Sequence, residues 1–196
     1  GEREVADVVA AQSADADAVV VYDWGYGLIT PGLLQLLGAT FRHRLPFIAG
    51  GSAGPQVNLT SLRGFDLLCC SERRLRVAMS DFGGSLSTLA YRMLQETQAK
   101  QMLVTLGKRG IVAFDRRSHD RQSAAWSDRL RSEFLPSFTE RVADRLAGGE
   151  AVLAAAALAL TAGAGLMQAA YLGSAVAALQ IVKRGAAAVP ADELRR

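Results

Sequence analysis

Apolar and polar residues fall along this chain in blocks whose period changes from stretch to stretch. Residues 2–12 read as a short helix, followed by the turn-prone "SADADA". Next comes "VVVYD", 19–23, a continuous apolar run of the kind that buried parallel strands show. In "TPGLLQLLGATF" the leucines take helical spacing, with Thr30 placed to cap the helix and Pro31 at its first position. "LPFIAGG" reads as a second buried strand and "FDLLCC", 65–70, as a third. The charged "SERRLRVAMS" reads as a helix, and "SLSTLAYRMLQETQ", 85–98, as an amphipathic helix capped by serine. "QMLVTLG", 101–107, and "GIVAFD", 110–115, are parted only by Lys108 and Arg109, which predicts a hairpin-like pair. The section 116–141 is charged, lacks a clear period and reads as a surface excursion. Two Ala-rich helices and a short one from Pro190 complete the pattern.

Strand and helix alternate from residue 19 to about 100. That order predicts an α/β fold of βαβ units, a mainly parallel sheet with helices on its faces. Ligands in such folds bind at the carboxyl ends of strands. The places to look are the turns after "VVVYD", "PFIA", "DLLCC" and "LVTLG", together with a glycine loop at 147–149.

Composition narrows the function classes. With 196 residues, half of them hydrophobic and 21% charged, the chain is expected to fold, as a single α/β domain over 1–196. Its formal charge of +3 is spread over "RHR" at 42–44, "ERRLR" at 72–76 and "DRRSHDR" at 115–121, each broken by acids or apolar residues. Solvated faces explain these better than a nucleic-acid stripe, so no nucleic-acid partner is expected. The only cysteines, Cys69 and Cys70, are adjacent and would point to opposite faces of a strand, which disfavours a disulfide and fits a reducing, cytoplasmic setting. No Cys/His cluster appears, and His43 and His119 sit in charged, turn-like surroundings, so no metal site of that kind is expected. The chain opens on an acidic, polar stretch with no signal-peptide pattern. Between Glu150 and Lys183 no residue is charged, but alanine dominates and "TAGAG", Gln168 and Gln180 interrupt the run. Two buried helices joined by a glycine turn are expected there, and no membrane span.

Four blocks in order, "VVVYDWGYGLIT", "LRGFDLLCCSERRLRVAM", "KQMLVTLGKRGIVAF" and "DRLAGGEAVLAAAALALTAGAGLMQAAYLGSAVAALQIVKRGAAAVPADEL", resemble the later two-thirds of the ribokinase-like PfkB carbohydrate kinases. Within that family the likeness is nearest to heptose-phosphate kinases. The resemblance implies a three-layer ribokinase-like sandwich, with ATP and Mg²⁺ as cofactors if the protein is active and otherwise none. It implies nucleotide and sugar phosphate as ligands. The family's "DxxGAGD" signature falls on Asp144, Ala147, Gly148, Gly149 and Glu150. It makes Glu150 the catalytic base for the attacking hydroxyl, Ala147, Gly148 and Gly149 the anion hole, and Asp144 a supporting residue. The physics agrees, because a helix N-terminus offers unpaired N–H groups and a partial positive charge to an anion. Without the resemblance, the same letters describe a helix start with Glu150 complementing the dipole and Asp144 capping or paired nearby.

The resemblance further places Thr105, Gly107 and Gly110 of "VTLGKRG" along the nucleotide, with Ser174, Ala175, Ala178 and Gly185 around the adenine. Read alone, "VTLGKRG" is a tight turn between strands. Ser71 and Arg74 stand where the family has "NxxE", a motif that organises magnesium and phosphates, and Arg74 reverses the charge of that glutamate. Ala49, Gly50 and Gly51 replace a charged phosphate-proximal turn. Asp23 matches a strand-end aspartate and Tyr26 replaces a lysine; a turn-forming role suits Asp23 equally. Glu150 for aspartate adds a methylene, and in a site tuned to in-line transfer a shift of about 1 Å costs roughly a hundredfold.

Departures at the base, the magnesium motif and the phosphate turn point the same way, toward impaired or lost phosphoryl transfer and weak or absent binding of ATP·Mg²⁺. The family's first strands, sugar-binding loop and β lid have no counterpart among these blocks, so a homo-oligomer or a partner supplying the lid is expected. Two functions stay in view: an ATP-dependent sugar kinase, and a kinase-derived binding, scaffolding or regulatory module. An unrelated Rossmann-like binding domain is a third, disfavoured by the collinear blocks.

Overall fold

The computed structural model describes residues 1–13, 15–41, 47–54, 59–116, 130–144, 147–185 and 187–195. The basic stretch 42–44, both histidines, the start of "LPFIAGG" and half of the 116–141 section lie outside them.

Six strands form one sheet in sequence order: β1 (Ala18–Asp23), β2 (Phe47–Ser52), β3 (Leu67–Ser71), β4 (Gln101–Thr105), β5 (Ile111–Asp115) and β6 (Arg131–Leu135). β1 to β4 run parallel, while β5 and β6 are antiparallel additions. The helices are α1 (Glu2–Gln12), α2 (Pro31–Phe41), α3 (Glu72–Ala78), α4 (Leu86–Thr97), α5 (Gly148–Thr161), α6 (Leu166–Ile181) and α7 (Ala191–Leu194). The mixed sheet flanked by helices is the expected α/β sandwich.

Side chains alternate across the sheet and feed two cores. Ile48, Leu68, Cys70, Met102, Val104 and Phe114 face α1 to α4, whereas Ala49, Leu67, Cys69, Leu103, Ile111 and Ala113 face α5 and α6. Adjacent Cys69 and Cys70 therefore belong to different cores, and both are free thiols.

Local chemistry sets the helix starts. Thr30 accepts the Leu33 N–H at 3.1 Å, Ser71 the Arg74 N–H at 3.3 Å and Ser85 the Thr88 N–H at 3.1 Å, each satisfying a donor that the first turn leaves unpaired. Among the described residues no helix is long and apolar enough to cross a membrane.

Two expectations need correcting. β1 is an edge strand with Val20 45% exposed, not a strand buried on both sides. Its apolar letters reflect helix cover on one face and the Tyr22 contact with the α5 side on the other. The 116–141 section is not wholly an excursion, because 131–135 forms β6, paired with β5 from Ile111↔Leu135 to Asp115↔Arg131. An exposed, charged edge strand carries too little apolar pattern to announce itself.

Candidate functional site at the carboxyl edge of the sheet

The parallel strands end on Asp23, Ser52, Ser71 and Thr105, and the N-terminus of α5 meets the sheet at this edge. The approach is close because glycine lies on both sides. A Cβ on Gly51 would sit 2.8 Å from Leu153 Cδ2 and 2.9 Å from the Tyr22 ring, and one on Gly149 would sit 3.3 Å from the Tyr22 hydroxyl. The first helical bond of α5 runs from the Ala151 N–H to the Ala147 carbonyl at 2.9 Å. The N–H groups of Gly148, Gly149 and Glu150 thus precede the ladder and are oriented for an acceptor. Ala147, the cap residue, holds φ 62°, ψ 4°, a left-handed conformation that costs an L-residue about 1–2 kcal/mol and that glycine adopts freely.

Beside this loop lies a cavity of about 280 Å³. Four separate stretches of chain wall it: Thr105, Gly107 and Gly110 after β4, Phe138 and Thr139 after β6, Gly148 and Gly149 at α5, and Ser174 and Ala178 on α6. Five of the seven residues assigned to the nucleotide and its adenine from sequence therefore meet two of the three assigned to the anion hole. Ala147 is not in the wall, and neither are Ala175 and Gly185. The turn is tightly built: Leu106 N–H donates to the Gly110 carbonyl at 2.7 Å. Gly110, at φ 113°, could bear no Cβ, which would lie 2.1 Å from the Leu135 carbonyl oxygen. Phe138 stacks at 60° on Tyr171 with ring centres 4.9 Å apart. Lys108 lines the cavity too. Sequence reasoning passed it over as a turn residue, although its place between Gly107 and Gly110 was the available signal.

Glu150 does not line the cavity; it faces β1. Its Oε1 accepts the indole N–H of Trp24 at 3.0 Å, and Trp24 packs at 60° against Tyr22 with ring centres 5.2 Å apart. Burial, followed by the charge of Glu150, raises the Tyr22 hydroxyl well above its ordinary pKa. The same two causes push the Cys69 thiol up to about 12, and burial raises Cys70 as well, so neither is a thiolate near neutrality. Trp24 was missed from sequence because 126 positions separate it from Glu150.

The supporting residues have structural partners. Asp144 Oδ2 accepts the Gly185 N–H at 3.1 Å, while the Ala143 and Asp144 N–H groups donate to the Ile181 carbonyl at 2.8 and 3.0 Å. The entry to α5 is thereby tied to the exit of α6. Asp23 Oδ1 accepts the Gly25 N–H at 2.8 Å in a turn, and Ser71 caps α3. One residue on, Glu72 accepts from Arg76 at 2.8 Å and also pairs with Arg109 of the Gly107–Arg109 turn. The Arg76 hydrogen bond above all, with help from Arg109, holds the Glu72 carboxyl below the usual carboxylate range.

The pfkB family carbohydrate kinase model matches residues 44–193, and the chain belongs to that family. It is 25% identical to the bifunctional protein HldE of Pelobacter propionicus, over 98% of this chain and 37% of the relative. Ribokinase from Thermotoga maritima superposes with a TM-score of 0.70 at 19% identity, covering 94% of this chain and 57% of that one. Phosphofructokinase-2 from Escherichia coli, solved with substrates and products, gives a TM-score of 0.76 at 15% identity, covering 98% and 59%. The ribokinase-like fold is thus established, and the chain spans well under half the length of its curated relative.

Proposed function

We propose that this chain is the nucleotide-binding portion of a PfkB-type sugar kinase fold, of heptose-phosphate-kinase descent, whose phosphoryl transfer is impaired or lost. The observation that carries the nucleotide assignment is the cavity, where Thr105, Gly107, Gly110, Ser174 and Ala178 converge with Gly148 and Gly149. Its walls mix apolar surface with a few hydroxyls and end on a helix N-terminus, which suits a flat base at one end and phosphate at the other.

The chemistry such a site performs is transfer of a terminal phosphoryl group to a sugar hydroxyl, with a carboxylate taking the hydroxyl proton. Glu150 occupies the position for that role by family resemblance. Its Oε1 is already engaged by Trp24, and its chain is a methylene longer than the aspartate it replaces. Arg74, and the uncharged Ala49–Gly51 stretch, which the structure places inside β2 and not in a turn, stand where the family motif supplies charge-handling groups. These features favour a binding or regulatory module over an efficient kinase. The exposed Val20, Trp24, Tyr26 and Leu28 beside the β1 edge support association with a second copy or a lid-bearing partner, and two free buried thiols suit a reducing cytoplasm.

Calorimetry with ADP and ATP, set beside a phosphotransfer assay on a heptose phosphate, tests both parts. Wild type should bind ADP and metal-free ATP, with ATP·Mg²⁺ bound weakly or not at all, and Ala178→Trp, which fills the cavity, should bind none of them. Equal binding by the two proteins would overturn the cavity assignment. Robust phosphorylation that Glu150→Ala abolishes would overturn the impaired-transfer reading.

A further inference from the structure

Magnesium takes oxygen ligands, and in phosphate-handling sites one or two carboxylates usually hold it alongside the phosphates. Four carboxylates near this end of the molecule have partners outside the cavity. Asp23 accepts the Gly25 N–H, Asp144 the Gly185 N–H and Glu150 the Trp24 indole, while Glu72 is shared by Arg76 and Arg109. None of the four lines the cavity. Among the described residues no group of three or more His, Cys, Asp or Glu side chains could hold a metal ion. Among the described residues the cavity wall offers no carboxylate to the divalent cation that the family uses, so its donors do not fit that ion.

What the cavity does offer is positive charge. Among the described residues Lys108 is the one charged side chain in its wall, and the wall also holds the Gly148–Gly149 start of α5 and the hydroxyls of Thr105, Ser137, Thr139 and Ser174. Lys108 sits on a braced turn, closed by the bonds Leu106 N–H to Gly110 carbonyl at 2.7 Å and Gly110 N–H to Gly107 carbonyl at 3.1 Å. The adjacent Arg109 is anchored to Glu72 on α3. Arg109 and Arg76 thus share the Glu72 carboxylate, which stabilises cationic side chains.

We propose that the cavity takes the phosphate chain of a nucleotide free of divalent metal, with Lys108 and the N-terminus of α5 supplying the counter-charge. The proposal rests on the nucleotide reading given above. A fully charged phosphate chain interacts more strongly with an ammonium and a helix N-terminus than one whose charge a metal has already neutralised.

The test is calorimetry on the full chain with ADP, first in EDTA and then in excess MgCl₂, with adenosine as the uncharged control. ADP should bind at least as tightly in EDTA as in MgCl₂. Lys108→Ala should weaken ADP roughly tenfold, as loss of a charge-assisted contact does, and leave adenosine unchanged. Tenfold or greater tightening by MgCl₂ would overturn the metal-free proposal and leave the nucleotide reading standing. Unchanged ADP affinity in Lys108→Ala would overturn the role given to that residue. Absence of ADP and adenosine binding in both media would overturn the nucleotide reading and this inference with it.

Discussion

The two faces of the sheet are packed with different materials. Toward α1 to α4 the core is Leu33, Leu68, Leu89, Met93, Phe65 and Phe114, all at most 1% exposed. Toward α5 and α6 the helices bring Ala156, Ala157, Ala169 and Ala170 beside Val152 and Leu153, onto Leu67, Leu103 and Ile111 of the sheet, with Gly51 and Gly173 at the points of contact. Large side chains fill the space between helix and sheet and leave no room for a ligand. Small ones let backbones come together, and the close seating of α5 is what sets its N-terminus against the strand ends. The cavity lies on that small-residue side. One face supplies bulk burial, and the other supplies positioned backbone.

If that division holds, mutations should separate stability from binding. Leu68→Ala empties part of the bulky face and should cost about 2–5 kcal/mol, with nucleotide affinity unchanged in the folded fraction. Denaturant melts paired with calorimetry would show it, and a parallel loss of affinity would break the comparison. Gly173→Ala should cost less, about 1–3 kcal/mol, but should weaken nucleotide binding. The reason is geometric: its new Cβ would lie 2.9 Å from the Val152 carbonyl oxygen and push α6 from α5, moving the wall that carries Ser174 and Ala178. Smallest is Ala147→Gly, which relieves a left-handed alanine and should raise stability by about 1 kcal/mol. A fall in melting temperature would show that the conformation at Ala147 carries no strain.

Much of this was legible in the letters. Thr30–Pro31, Ser71 and Ser85 announce helix starts because a capping side chain acts within three residues of itself. The Lys108–Arg109 turn declares its hairpin for the same local reason. What the sequence concealed is non-local. "VVVYD" reads as buried whether or not a strand pairs with it on both sides, so the edge position of β1 depends on neighbours the run does not encode. β6 shows a mostly exposed, charged pattern that loops share. At the site, the glycine loop could be located from its spacing, but the hydrogen bond from Trp24 to Glu150 links residues from opposite ends of the chain. Only the packing of α5 on β1 brings them together.

The tie between Asp144 and Gly185, with the two N–H groups held on the Ile181 carbonyl, makes the α5–α6 pair a closed ring of chain. A ring of this kind does not fray from one end, because loosening its entry loosens its exit. Amides of the glycine loop and of the far end of α6 should therefore open together. An anion captured at the first turn of α5 should slow hydrogen exchange around Ile181 as well, a signal of occupancy readable far along the chain from the site itself.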